Sequence, residues 1–201
     1  QFEFQLTEMR SDNTRTKSSE CQNAQFEYYT VEATNGVVLD YYRSYYNAIF
    51  RANTILANLD VATEANRARI EGEAKFIRGY AYFNLVRLFG DVPLVDRVIS
   101  PEETDIAFTR VATANIYQLI VGDLEAAVAS LDNSSINRGS KAAAETLLAK
   151  VHLRLGNYGT ARTLLESVMG SGEFSLEDNF KDIFFIEANN EVIFAIGYVA
   201  D

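Results

Sequence analysis

The chain has 201 residues, of which 48% are hydrophobic and 23% charged, with a formal net charge of −10. This length allows a substantial core, and the composition is ordinary for a globular chain. The acidic surface repels phosphate backbones and anionic lipid headgroups, which argues against nucleic-acid binding and charge-driven membrane binding. The sequence also has no run of 18 apolar residues that would predict a transmembrane helix.

The first predicted helix covers residues 2–11, and a polar, irregular segment over 12–36 follows it. A connection of this length without secondary structure is unusual in a compact domain and is often functional. It carries Phe26, Tyr28 and Tyr29, aromatic residues that a plain solvent-exposed linker does not need.

Apolar residues at intervals of three and four predict two long helices next, over 37–59 and 65–89. The second contains EGEAKFIRGYAYFNLVRLF, the longest helical pattern in the chain. Gly90 can adopt the left-handed conformation that caps a helix, and Pro93 cannot donate the hydrogen bond that would extend it. From there to about residue 113 the sequence predicts a loop.

Three further helices are predicted over 113–131, 141–155 and 158–169. The last two, joined by the turn GNY, have the small-residue spacing of a tetratricopeptide repeat, in which two antiparallel helices approach closely. Helices 65–89 and 113–131 repeat this plan with the turn expanded into a long loop. The apolar, β-branched run over 191–196 predicts a short strand or extended segment.

Patterns for catalysis and metal binding are missing from the sequence. His152 is the only histidine and Cys21 the only cysteine, so neither a zinc site nor Cys–His catalysis is expected. Phosphate-binding glycine loops and the GxSxG motif are absent as well. Carboxylates over residues 71–96 would suit a glycosidase by type, but no spacing singles out a pair. We expect a protein that is not an enzyme and has no cofactor.

Five segments in a fixed order resemble the SusD/RagB family of outer-membrane nutrient-binding lipoproteins. They are YNAIFRANTIL, EAKFIRGYAYFNLVRLFGDVPLV, IYQLIVGDLEAAVASL, GSKAAAETLLAKVHLRLGNYGTARTLLESVM and the C-terminal SGEFSL with NNEVIFAI. The resemblance implies an all-α fold, a tetratricopeptide-like α-α superhelix with long inserted loops and a short extended C-terminal segment. It also implies a single N-terminal helical domain over residues 1–201, with the C-terminal region of the longer family members absent.

For function, the resemblance implies cell-surface binding of an oligosaccharide, or in some members a peptide, without catalysis. The ligand passes to a SusC-like TonB-dependent transporter, and the protein is held on the outer membrane by an N-terminal lipid anchor that is expected to lie outside this sequence. The alternative is a tetratricopeptide-type adaptor for a protein partner, which predicts uninterrupted repeats of about 34 residues. The expanded loop and the extended C-terminal segment do not match that pattern. A third class, an α-helical hydrolase, requires a carboxylate pair and detectable turnover.

The candidate binding residues rest on chemistry, because the segments that resemble the family are scaffold. Proteins bind sugars with aromatic faces against C–H patches and with amide and charged groups at hydroxyls. The chain has no Trp, so Tyr or Phe must supply the aromatic faces. The segment over 12–36 contains the candidates, which are Tyr28, Tyr29, Asn35, Asp12 and Arg15.

Overall fold

The structure is a computed structural model that describes residues 6–17 and 21–197. Helices dominate this part of the chain, which confirms the predicted all-α fold. None of the helices in these ranges is long and apolar enough to cross a membrane. The chain divides into two compact units, Gln1–Asn47 and Ala48–Asp201. The single domain over residues 1–201 stays a prediction.

The first unit contains a short 3-10 helix, Glu8–Arg10, and an α-helix, α1, over Cys21–Glu27. The first four residues of the helix predicted over 2–11 lie outside the described ranges, and its end is the 3-10 turn. Helix α1 corrects the expectation that 12–36 is irregular throughout. Phe26 is buried on this helix, and burial of an apolar face stabilises a helix too short to form alone.

Helix α2 covers Gly36–Ala57 and is followed by a 3-10 helix, Leu59–Val61, so it ends slightly before the predicted boundary. Its N-terminus is capped by Asn35. The Asn35 Oδ1 accepts hydrogen bonds from the backbone N–H groups of Val37 and Val38, at 2.9 and 3.3 Å. Satisfying these otherwise unpaired donors fixes the point at which the helix begins.

The second unit follows with elements in this order: α3 (Glu64–Phe89), β1 (Val92–Pro93), α4 (Thr104–Phe108), β2 (Arg110–Val111), α5 (Thr113–Ser130), α6 (Lys141–Arg154), α7 (Tyr158–Gly170) and α8 (Asp182–Phe185). The four long helices agree with the predicted ranges to within one residue at each end. The segment after α3 is not a loop throughout, because β1 and β2 pair antiparallel with Val92 opposite Val111. This pairing brings together the two ends of the segment between α3 and α5.

The long helices pack as hairpins, α3 with α5 and α6 with α7, and α5 lies against α6. Glycines let α3 and α5 approach closely. A Cβ added at Gly72 would lie 2.2 Å from Ser130 Oγ, and one at Gly79 would lie 3.1 Å from Leu124 Cγ. Gly156, with φ of 78°, makes the turn between α6 and α7 in a conformation that side chains disfavour. The predicted tetratricopeptide-like packing is confirmed.

A buried ion pair ties the α3–α5 hairpin to the start of the long segment between them. Arg78 on α3 donates to both carboxylate oxygens of Asp123 on α5, from Nε at 2.7 Å and from Nη2 at 2.8 Å. Its Nη1 donates to Asn53 Oδ1 at 2.8 Å and to the carbonyl oxygen of Asp96 at 2.6 Å. Asn53 Nδ2 donates to the carbonyl oxygen of Val95 at 2.8 Å. One guanidinium therefore connects α3 with α5, with Asn53 of α2 and with the chain just after β1.

The C-terminal segment over 191–197 begins in a turn at Glu191 and continues without regular secondary structure, and it forms no strand in the described ranges. The backbone N–H of Ala195 donates to the carbonyl oxygen of Ile136 at 2.9 Å. The Phe194 ring packs edge-on against the Phe76 ring, with centroids 5.4 Å apart. One backbone hydrogen bond and one aromatic contact therefore hold the segment, and no ladder of backbone hydrogen bonds follows.

Candidate functional site

The tyrosine pair among the candidate residues lies directly after α1, in the first unit. Tyr28 and Tyr29 are each 67% exposed, although tyrosine usually buries most of its ring. Two adjacent exposed rings offer apolar faces of the size that the C–H patch of a sugar requires. Each ring also carries a hydroxyl group, which can donate and accept hydrogen bonds.

The chain leaves α1 through a Schellman motif with tyrosine in the position that glycine normally occupies. The backbone N–H of Thr30 donates to the carbonyl oxygen of Gln25 at 2.9 Å, and that of Tyr29 donates to Phe26 at 3.3 Å. Tyr29 consequently has φ of 55°. This left-handed conformation costs a residue with a Cβ roughly 1–2 kcal/mol. Strained backbone of this kind is concentrated at functional sites.

Arg10 holds the Tyr29 side chain in a fixed orientation. The Tyr29 hydroxyl donates a hydrogen bond to the carbonyl oxygen of Arg10. The Arg10 guanidinium lies over the ring, 5.6 Å from its centroid, at the distance of a cation–π contact. Sequence reasoning missed this role, because no local pattern pairs residues so far apart. The contact leaves most of Tyr29 exposed while restricting its motion.

Asp12 and Arg15 are exposed on a loop that is tied to the α1 region at both ends. One end is the contact of Arg10. At the other end, Thr16 donates from its backbone N–H and from its hydroxyl to Glu27 Oε2, each at 2.7 Å. These two hydrogen bonds, the backbone one foremost, hold the pKa of Glu27 below its usual value. The structure thus brings this loop to the same end of α1 as the tyrosine pair.

Asn35 supports the site from within and is only 2% exposed. Besides capping α2, it donates from Nδ2 to the carbonyl oxygen of Gln22 at 2.9 Å and to Gln25 Oε1 at 2.7 Å. Both ends of its amide are therefore engaged with α1 and α2. We place Asn35 in the scaffold that positions the exposed candidates.

Replacing Tyr29 with Gly is expected to change the free energy of unfolding by less than about 1 kcal/mol. Relief of the left-handed strain, about 1–2 kcal/mol, offsets the lost hydroxyl bond, which is worth about 1 kcal/mol. Tyr29→Ala keeps the strain and loses the same contacts, so it should be less stable than Tyr29→Gly by roughly 1 kcal/mol. Urea denaturation of both variants measures this difference. Equal stability of the two would show that the backbone at this position is not strained.

Two other titratable groups, His152 and Glu103, are each engaged with a neighbouring side chain. His152 is buried, and its Nδ1 lies 3.3 Å from Asn157 Nδ2. In the segment after β1, the Arg97 guanidinium pairs with Glu103 and, together with the backbone N–H of Ser100, lowers the pKa of that carboxyl to about 2. Among the residues that the structure describes, no group of three or more His, Cys, Asp and Glu residues is arranged to hold a metal ion.

The fold and site define a class of protein, a scaffold of helical hairpins that carries exposed aromatic candidates at a helix end. Comparison with known proteins gives the family. The SusD-like family model, described as starch-binding and associating with the outer membrane, matches residues 2–153. The chain belongs to this SusD-like family, which confirms the resemblance drawn from the five sequence segments.

Several curated and solved proteins are similar to this chain. SusD-like protein P2 of Formosa agariphila is 28% identical over 206 aligned residues, covering 96% of this chain and 39% of that protein. SusD-like protein P25 of the same organism is 30% identical, and the alignment covers 82% of this chain and 33% of that protein. A laminarin-binding SusD-like protein of known structure is 28% identical with a TM-score of 0.80, covering 89% and 41%. A SusD-like protein from Bacteroides fragilis is 26% identical with a TM-score of 0.84, covering 98% and 41%. The chain thus spans about two fifths or less of the length of these relatives.

Proposed function

We propose that this chain binds carbohydrate at the cell surface, without catalysis, for uptake through the outer membrane. The observation that carries the proposal is membership of a family of non-catalytic carbohydrate-binding proteins. The likeness to a laminarin-binding SusD-like protein, at 28% identity and a TM-score of 0.80, supports it further. A tetratricopeptide-type adaptor is not favoured by these comparisons.

In this proposal the ligand lies against the exposed rings of Tyr28 and Tyr29. The contacts of Arg10 with Tyr29 support this placement, because a Tyr29 ring that is already ordered loses little conformational entropy on binding. Asp12 accepts and Arg15 donates hydrogen bonds at the sugar hydroxyls, and both are exposed on the loop tied to the same helix end.

Replacing Tyr28 and Tyr29 together with Ala tests this placement of the ligand. Aromatic pairs gain about 0.5–1.5 kcal/mol beyond buried area, and a similar gain at each of the two rings predicts that the double variant binds at least about fivefold more weakly. The measurement is retention in native gels containing laminarin, xyloglucan or starch. Tyr158→Ala is the matched control, since Tyr158 is 69% exposed on α7 but far along the chain from the pair. Unchanged retention of the double variant would rule out the tyrosine site.

We further propose that the partner is a SusC-like TonB-dependent transporter and that a lipid anchor holds the protein on the outer membrane. The family description, which includes association with the outer membrane, supports both parts. No nucleic-acid partner is proposed, given the net charge of −10. Affinity purification of the tagged full-length protein from detergent-solubilised outer membranes should recover the transporter. A purification that lacks any TonB-dependent transporter argues against the partnership.

A further inference from the structure

A second groove lies in the second unit, between α3, α6 and the C-terminal segment over 191–197. Its volume of about 360 Å³ falls in the range of small-molecule sites in proteins. Aromatic and aliphatic side chains form its apolar side, and two opposite charges stand on its polar side. The groove shares no residue with the tyrosine pair of the first unit.

The apolar side of the groove includes three aromatic residues, Phe76, Tyr80 and Phe194, beside aliphatic side chains of α6 and of the C-terminal segment. Phe76 and Tyr80 are four residues apart on α3 and therefore share a face of that helix. Phe76 is 2% exposed and packs edge-on against Phe194, with an interplanar angle of 75°. Because Tyr80 and Phe194 are only half-buried, their rings keep accessible apolar surface within the groove.

The polar side of the groove contains Lys150 from α6 and Glu191 from the C-terminal segment. Glu191 Oε2 accepts a hydrogen bond from the backbone N–H of Glu177 at 3.1 Å, which fixes the carboxylate in position. Lys150 is exposed and has no ion pair within 4.0 Å among the residues described. The two charges therefore line one groove without neutralising each other directly.

We propose that this groove binds one unit of a neutral saccharide. Lys150 donates to the ring hydroxyls and Glu191 accepts from them, since a hydroxyl group both accepts and donates. Tyr80 and Phe194 pack against the C–H face of the same unit. The inference rests on the proposed carbohydrate binding and adds a second place of contact to it.

The charges select this ligand class over two others. A purely apolar occupant would desolvate Lys150 and Glu191 without giving them partners, which is costly. An anionic occupant would be attracted by Lys150 but would also meet the fixed carboxylate of Glu191, and like charges at close range destabilise a complex. A neutral polyhydroxylated ring avoids both penalties.

Two charge-removing variants test the groove. Lys150→Met keeps the aliphatic stem and removes the ammonium, and Glu191→Gln keeps the shape and removes the charge. Each is expected to weaken binding about tenfold in calorimetric titrations with laminarin or xyloglucan oligosaccharides, with unchanged thermal unfolding. Lys141→Met is the matched control, because Lys141 is exposed on the same helix and does not line this groove. Unchanged binding by both groove variants would overturn the proposal, as would stronger binding of polygalacturonate oligosaccharides than of the neutral probes.

The same titrations separate the groove from the tyrosine site. Loss of binding in the Tyr28→Ala, Tyr29→Ala variant together with normal binding in both groove variants would leave the proposed function standing and refute the groove. The reverse pattern supports the groove and refutes the tyrosine site. An unmodified chain that binds none of the neutral probes would count against both.

Discussion

Replacing Asp123 with Ala is expected to lower the free energy of unfolding by about 3–5 kcal/mol, because it leaves the buried guanidinium of Arg78 without a counter-charge. Arg78 is 7% exposed and Asp123 is 4% exposed, so water does not replace the lost partner. Burial disfavours the charge on Arg78, but the hydrogen bonds and charge of Asp123 prevail and raise the pKa of Arg78 above its ordinary value. Urea denaturation of the variant measures the loss.

Two further variants distinguish the effect of burying an unpaired charge from the effect of losing an ion pair. Arg162→Ala removes an exposed pair with Glu166, whose side chains are 79% and 59% accessible, and should cost less than about 1 kcal/mol. Replacing Arg78 with Met and Asp123 with Leu together should recover much of the loss, since neither charge is then left buried alone. A loss below about 1 kcal/mol for Asp123→Ala would mean that water reaches the guanidinium after all.

Replacing Leu124 with Ala is expected to cost about 2–5 kcal/mol, the usual range for a cavity in a packed core. Leu124 has no exposed surface and lies against Gly79, at one of the places where α3 and α5 approach closely. The loss therefore combines lost burial with a gap that two tightly packed helices cannot close. Thermal and urea unfolding report the change, and a loss well under 1 kcal/mol would show that the helices move together to fill the space.

The effect of Gly79→Ala should depend on Leu124. In the unmodified chain the added Cβ lies 3.1 Å from Leu124 Cγ, so crowding opposes the gain in helix propensity of up to about 1 kcal/mol. In the Leu124→Ala background that obstacle is gone, and the same substitution should stabilise the protein by about 1 kcal/mol. A double-mutant cycle measures this coupling. Strictly additive effects would place the two residues out of contact.

The hairpins were predictable because their signals are local. The apolar spacing of α3 and its glycine and proline endings lie within the helix or next to it. The β1–β2 pairing was not predictable, since each strand has two residues and Val92 meets Val111 only after an intervening segment. Helix α1 was missed for a similar reason, because tertiary burial of Phe26 supports a sequence that is otherwise polar.

At the candidate site, residue type predicted more than conformation. The exposure of Tyr28 and Tyr29 agrees with their place in a polar segment. The left-handed backbone of Tyr29 had no signal, because glycine or asparagine normally marks that position. The role of Asn35 did have a signal in the sequence, since an asparagine just before an apolar helical pattern is a typical N-cap. Its amide hydrogen bonds in the structure agree with that role.

The β1–β2 pairing has a consequence for how this scaffold can diversify. The chain between Pro93 and Arg110 is a loop whose two ends are paired by β1 and β2. The hydrogen bonds of Arg78 anchor its first residues. The entropy of closing such a loop grows slowly, so doubling its length costs only about 0.6 kcal/mol. Evolution or a protein engineer can therefore exchange the outer part of this loop for longer or different segments while the hairpins beneath it keep their packing.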